Sequence, residues 1–236
     1  MYVKVIYDSK ARKGLESGWG FSCLVGGKVL FDAGPDAQAL LDNMSRLMVS
    51  PSDISSVVIS HDHWDHTGGL WEILRSRKGM KVYACRSFSE DFKKGVKELG
   101  GKLCFADGPV EIAENIYVTG EIPGEHKGEI IGEQALVVKG DKGISIVTGC
   151  AHPGVLEMIL SAKKKTGARK IYMIFGGFHL DGMKREEISS LVEQLKKMGV
   201  SKVGPSHCAG EKARRVFRGK YHENFIPVQA GHIIQL

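Results

Sequence analysis

Short apolar runs with the period of a strand alternate, along the whole chain, with stretches whose apolar residues recur every three to four positions. That alternation predicts strands interleaved with helices. Val3–Tyr7, Phe21–Val25 and Lys28–Phe31 read as strands, the last two joined through Gly26-Gly27, a two-residue hairpin signal. Asp36–Leu47 carries Ala39, Leu40, Met44 and Leu47 at helical spacing, and the apolar strand Val57-Val58-Ile59 follows Asp53. Leu70–Arg75 reads as a helix, Lys81–Ala84 as a strand and Phe88–Leu99 as a helix, with short β segments between Lys102 and Val118.

The second half repeats the theme. Ala135–Val138 and Ile144–Thr148 form a hairpin through residues 139–143, followed by helix Val155–Lys165, strand Ile171–Phe175 and helix Arg185–Met198. Strand Lys202–Val203, helix Glu211–Phe217 and a closing strand Ile233–Gln235 complete the pattern. Strand pairs and helices in both halves suit an α/β fold in which two sheets pack face to face with helices outside. Residues 1–236 are expected to form one domain of two similar αβ halves. The pattern leaves the strand order open.

Composition narrows the class. A chain of 42% hydrophobic and 25% charged residues is an ordinary globular protein. No apolar run reaches the roughly 18 residues that span a bilayer, and the N-terminus alternates like a strand rather than a signal peptide. A cytoplasmic protein without a membrane partner is expected. The five cysteines form no CxxC pair, so reduced thiols are expected rather than a disulfide framework or zinc ribbon. The net charge of +6 suits phosphorylated substrates. Lys163-Lys164-Lys165 and Lys196-Lys197 fall in helical patterns facing water, and no aromatic interleaving marks a nucleic-acid footprint. The partner expected is a small molecule; oligomeric state is not readable.

The most informative segment is Ser60-His61-Asp62-His63-Trp64-Asp65-His66-Thr67-Gly68-Gly69-Leu70. Three of the nine histidines and two aspartates fall within six positions directly after an apolar strand. Imidazole and carboxylate are zinc's usual ligands in catalytic sites. A strand end followed by a tight turn can bring His61 and His63 to one side and Asp65 and His66 to another, giving two adjacent metal positions. Gly68-Gly69 is expected to remove bulk where a helix starts close to the metals.

His61-x-His63-x-Asp65-His66 resembles the HxHxDH motif of the metallo-β-lactamase superfamily, and other landmarks follow in the expected order. Leu30-Phe31-Asp32-Ala33-Gly34 resembles the early strand-turn whose aspartate supports the metal site from behind its ligands. The resemblance implies a four-layer αββα sandwich, His61 and His63 on a first metal, and Asp65 and His66 on a second. The expected cofactor is two divalent metal ions, zinc first, with manganese or iron(II) as alternatives. In Val147-Thr148-Gly149-Cys150-Ala151-His152-Pro153-Gly154 the superfamily usually carries a bridging aspartate where this chain has Cys150. Either Cys150 bridges as a thiolate, or His152 supplies the missing ligand while Cys150 sits nearby; His152 is the preferred third ligand of the first metal. Pro205-Ser206-His207-Cys208 resembles the last ligand motif, so His207 completes the second metal with Cys208 as a neighbour. His126, the possible counterpart of an upstream histidine, reads as part of an exposed loop.

Phe175-Gly176-Gly177-Phe178-His179-Leu180 places a further histidine after a strand, where His179 is expected to act in catalysis or substrate binding with Asp65, and its glycines to admit substrate closely. Together with Glu133-Gln134-Ala135-Leu136, these segments resemble the branch named after dihydropteroate-synthase-like pterin chemistry. Some archaeal members of that branch are described as 7,8-dihydropterin-6-yl-methyl-4-(β-D-ribofuranosyl)aminobenzene 5′-phosphate synthases. The resemblance implies a dinuclear enzyme acting on a small phosphorylated metabolite. It either hydrolyses an ester or phosphoester with an activated water or joins a pterin diphosphate to an aminobenzene ribotide. A tRNA-processing phosphodiesterase and a non-catalytic metal-binding or ligand-sensing domain are the rivals. No basic insertion to grip tRNA is visible, and an intact ligand set speaks against a sensor.

Overall fold

A computed structural model describes residues 1–236, except that the side chain of Lys165, third in its lysine run, lies outside the described residues. Lys163 is half-buried, while Lys164, Lys196 and Lys197 are exposed. In chain order, β1 (Tyr2–Tyr7), β2 (Ser22–Val25) and β3 (Val29–Phe31) lead into α1 (Ala37–Arg46) and β4 (Ser56–Val58). The short α2 (Trp64–Thr67) and α3 (Leu70–Ser76) precede β5 (Lys81–Ala84), α4 (Glu90–Glu98) and β6 (Lys102–Phe105). Next come β7 (Val110–Ala113), β8 (Ile116–Val118), β9 (Ile122–His126), β10 (Glu129–Glu133), β11 (Leu136–Gly140) and β12 (Gly143–Thr148). The chain ends with α5 (Val155–Thr166), β13 (Ile171–Gly177), α6 (Arg185–Lys197), β14 (Val200–Ser206), α7 (Gly210–Tyr221) and β15 (Ile233–Gln235).

Two sheets result, with strand orders β15-β1-β2-β3-β4-β5-β6 and β14-β13-β12-β11-β8-β7, and β9-β10 stands apart as a two-stranded ribbon. Successive side chains of a strand face opposite ways, and here both faces are buried. Val29, Phe31 and Val58 point into the inter-sheet core, against Val118, Leu136, Val147 and Phe175. Their neighbours Leu30 and Val57 point outward under Leu40 and Met44 of α1, Leu70 of α3 and Phe92 of α4. Ile146 and Ile174 likewise face Met158 of α5, Val192 of α6 and Phe217 of α7. The layers are therefore helix, sheet, sheet, helix, as the pattern implied.

Parallel pairing sets where the site lies. β3 through β6 run parallel, as do β12 through β14. Strands covered on both faces read as continuous apolar runs, which explains Val57-Val58-Ile59. Loops leaving the C-terminal ends of parallel strands are the usual place for ligands in such folds. His61, Cys150, His179 and His207 follow β4, β12, β13 and β14 respectively.

Three local expectations change. The β2–β3 turn has three residues, Gly26 to Lys28, because Val25 pairs with Val29 and the Lys28 N–H bonds back to Val25 O at 3.2 Å. Gly26 and Gly27 supply left-handed φ values of 59° and 71°. The surroundings of His126, read as an exposed loop, belong to the β9–β10 hairpin, which turns on Lys127-Gly128 with φ of 52° and 84°. The glycines beside the motifs also serve a different end. A Cβ on Gly68 would lie 1.8 Å from Pro35 O, and one on Gly177 2.0 Å from Gly149 O. They admit neighbouring backbone, not metal or substrate.

Gly68→Ala is therefore expected to destabilise the fold by about 3 kcal/mol through forced overpacking. Thermal and urea unfolding check this, and a variant within about 0.5 kcal/mol of the parent would show that the β3–α1 loop gives way freely.

Candidate metal centre

The side chains named in the sequence converge on one rim of the sandwich. His61 and His66 are fully buried, Asp65, Cys150 and His207 nearly so, and His179 is exposed at the mouth. The backbone bends sharply to bring them there: Asp32, Ala151, His179 and His207 have φ of 55°, 59°, 48° and 47°, a conformation that costs roughly 1 kcal/mol or more for each such residue.

Hydrogen bonds behind the imidazoles decide which nitrogen faces inward. Asp32 Oδ1 accepts the Ser60 N–H at 2.7 Å, and Oδ2 accepts the Ser60 hydroxyl at 2.8 Å and His66 Nδ1 at 2.7 Å. Ser60 Oγ, having donated to Asp32, accepts from His61 Nδ1 at 2.8 Å. One carboxylate thus holds the protons of both rings on Nδ1 and leaves both Nε2 atoms for the cavity. Glu133, at the end of the β9–β10 ribbon, plays the matching part. Its buried carboxylate accepts the backbone N–H groups of Cys150, Ala151 and His152 at 2.9, 2.8 and 2.8 Å, and His152 Nδ1 at 3.0 Å. Burial pushes the Glu133 carboxyl up, but the His152 hydrogen bond and charge, with the backbone donors, bring it below the usual range.

The inward nitrogens test whether this set suits a cation. His61 Nε2 and His152 Nε2 are buried with no hydrogen-bond partner, their rings 4.6 Å apart. Unpartnered buried acceptors are costly, and a shared cation would satisfy both. Ligand atoms of His61, Cys150 and His152 lie within 4.8 Å of one another, as do those of His66, Cys150 and His207, so Cys150 belongs to both groups. His63 closes on the first group, 4.6 Å from the His61 ring and 5.1 Å from that of His152. Asp65 Oδ2 closes on the second, 3.5 Å from His66 Nε2 and 3.2 Å from His207 Nε2. The residues present fit divalent metal ions, and His126, His152 and His179, and Cys150, His179 and Cys208, make two further groups that close within 4.8 Å.

Charge states agree with that fit, at one point at a cost. Burial, then neighbouring imidazoles, keep His61 and His63 neutral, His63 at about 4. Burial opposes charge on His66 too, but Asp32 and Asp65 lift it to about 9, so a cation there must displace a proton. Asp65 is held at about 2: burial raises it, while the His207 hydrogen bond and the His66 charge lower it further. His207 Nδ1 accepts the Gly20 N–H at 3.2 Å, which leaves its proton on Nε2, facing Asp65. Binding a cation through that Nε2 costs the Gly20 contact. Behind it, Asp8 accepts the His207 N–H at 3.0 Å, and burial raises the Asp8 carboxyl to about 6 against the pull of Ser9, His207 and Arg214.

Several residues enter that the sequence reading left outside the site. His126, on β9, lies 5.1, 5.0 and 5.3 Å ring to ring from His63, His152 and His179. The hairpin reaches the site because Gly124 lets it settle on Pro153, where a Cβ would sit 2.6 Å from the Pro153 nitrogen. Gly128, two residues after His126, was the readable turn signal. Ser60, directly before His61, carried none beyond its position. Asp62 turns away to accept the Ser89 N–H at 2.7 Å. The cavity of about 610 Å³ is lined by Trp19, Trp64, Lys127 and Glu129 besides the site residues; Trp19 and Trp64 are 51% and 63% exposed. Cys150 and Cys208 lie sulfur to sulfur at 3.3 Å.

The chain matches the β-lactamase superfamily domain model over residues 28–114. It is 31% identical to the 7,8-dihydropterin-6-methyl-4-(β-D-ribofuranosyl)-aminobenzene-5′-phosphate synthase of Methanocaldococcus jannaschii, over 88% of this chain and 84% of that protein. A crystal structure described as a metal-dependent hydrolase of the β-lactamase superfamily superposes with a TM-score of 0.84 at 28% identity, covering 100% of this chain and 99% of the other. The short form of human tRNase Z shares the fold alone, with a TM-score of 0.65 at 13% identity over 100% and 99% of the two chains.

Asp32→Asn removes the charge that orients two imidazoles at once. Metal affinity, measured by competition with a chelator on folded protein, is expected to fall about 10–100-fold. Unchanged affinity would mean that Asp32 does not set the inward nitrogens.

Proposed function

This chain belongs to the metallo-β-lactamase superfamily, and on that premise we propose that it is a dinuclear enzyme joining a dihydropterin diphosphate to a ribosylated aminobenzene phosphate. The observation that carries this reading is the character of the cavity: two exposed tryptophan rings beside inward imidazole nitrogens. Aromatic faces stack on planar rings, and the cation-binding groups beside them suit a departing diphosphate. The identity to the archaeal synthase extends over most of both chains and supports the same choice.

His61, His63 and His152 would hold one ion, Asp65, His66 and His207 the other, with Cys150 shared between them. Imidazole and thiolate donors favour zinc over magnesium or calcium. When bound, such a pair of ions neutralises charge developing on phosphate oxygens or activates a water. The remaining steps fall to side chains. Lys127, the one lysine or arginine among the described residues lining the cavity, attracts the phosphorylated substrate from its hairpin turn. His179 stands at the mouth with its backbone N–H on Cys208 Sγ at 3.2 Å. A side-chain hydrogen bond between the imidazole and Cys208 outweighs burial and raises His179 above its usual range. An imidazole so placed can pass a proton to the departing group, or take one from the attacking amine, in general acid–base catalysis. Hydrolysis of a small phosphoester is the second reading, favoured by the 28% identical structure described as a hydrolase. A tRNA-processing role is less supported, since one lysine at the cavity gives little purchase on a polyanion.

The test is to offer metal-loaded protein three substrate sets: a dihydropterin diphosphate with an arylamine ribotide, simple phosphodiesters, and lactones. Condensation with release of pyrophosphate is expected. His63→Ala should abolish it and lose bound metal, whereas His179→Ala should keep its metal and slow turnover about 100-fold. Phosphodiester cleavage without condensation, or two metal equivalents retained by His63→Ala, would defeat the assignment.

A further inference from the structure

Cys150 and Cys208 arrive at the cavity from separate loops, one after β12 and the other in the turn after β14. Their sulfurs lie 3.3 Å apart, and both residues line the cavity. A disulfide requires about 2.05 Å between sulfurs, so closing the pair takes about 1 Å of side-chain movement. Both residues are buried, with exposures of 4% and 2%, and what remains open of them faces the cavity. Cys23, Cys85 and Cys104 do not line it; they pack in or against the cores of the sandwich.

Neither bond-making reading of the site needs two adjacent thiols. The hydrolytic and condensing chemistries put imidazoles, a carboxylate and one shared sulfur on the cations, and Cys208 enters only as the hydrogen-bond partner of His179. The second sulfur, Cys208, lies against the one residue that both cation groups share. A thiolate is a strong ligand for zinc, whereas a disulfide sulfur has lost its charge and its place in such a shell.

We propose that Cys150 and Cys208 are an oxidative modification site: peroxide links them, and the disulfide withdraws the Cys150 sulfur from both cation positions at once. One sulfur attacks a peroxide oxygen, the O–O bond breaks, and the sulfur keeps one oxygen as a sulfenic acid while the other leaves as water. The second thiol attacks that sulfur, the S–S bond forms, the S–O bond breaks, and a second water leaves. Two thiols lose two electrons and one hydrogen peroxide becomes two waters. A dithiol reductant restores the pair. The metal-release half of the inference rests on the dinuclear reading above; the disulfide half does not.

Metal-loaded and metal-free protein are each treated with a small excess of hydrogen peroxide, alkylated, and mapped by mass spectrometry. Bound metal is measured after desalting. The expected result is one Cys150–Cys208 disulfide per chain, a mass lower by about 2 Da, in both samples. In the loaded sample, metal falls from about two equivalents to fewer than one and can be restored after reduction. Separate oxygen additions on the two cysteines, or both remaining alkylatable at peroxide levels that modify surface methionines, overturn the site. A disulfide that forms while metal stays bound overturns the withdrawal of Cys150. Should untreated protein hold fewer than two equivalents, the dinuclear reading fails by itself, and mapping of the metal-free sample still decides for or against the disulfide.

Discussion

The site depends on a buried carboxylate, Asp32, that accepts three hydrogen bonds at once. A carboxylate out of water is costly unless its oxygens are fully engaged, and here Ser60 and His66 engage them. Because Ser60 donates to Asp32, it can only accept from His61. The proton positions of two imidazoles follow from that one placement. Burial by itself raises the Asp32 carboxyl, and the His66 charge and hydrogen bond, followed by Ser60, pull the other way.

Glu133 repeats the device from the end of the β9–β10 ribbon with different partners. Where Asp32 fixes rings, Glu133 fixes a loop: three consecutive backbone N–H groups converge on it, and the His152 ring follows. One acid thus comes to the rim from the first sheet and the other from the β9–β10 ribbon, and between them His61 Nε2 and His152 Nε2 face the cavity without a partner. The close approach of the two loops leaves no room for a side chain at Gly149, where a Cβ would sit 2.0 Å from Ser60 Oγ. Packing and electrostatics thus meet at the same atoms, where Asp32 and Ser60 lie against Gly149.

How much of this could be read beforehand varies with the physics involved. The layered fold was legible because apolar period reports burial directly, and Leu30 beside Phe31 shows both faces of a strand in use. Strand order was not, since period reports the face and not the neighbour: nothing in Ile233–Gln235 indicates that it pairs with β1. His61, His63, Asp65 and His66 declared themselves by crowding into one turn. Cys150, His152 and His207 are distant in sequence and were placed through resemblance to known proteins. His126 was misjudged because its hairpin has charged residues on its outer face, which resembles a loop until Gly124 is seen to dock on Pro153. The glycines were assigned to metal and substrate because sequence shows that a side chain is missing, not what occupies its place.

The central claim is that inward nitrogens, one carboxylate and a shared sulfur grip two ions. Anomalous diffraction from crystals grown with zinc tests it most directly. Two peaks are expected, one bounded by His61, His63 and His152 and the other by Asp65, His66 and His207, with Cys150 touching both. A single peak, or none within reach of His61 Nε2 and His152 Nε2, would contradict the account.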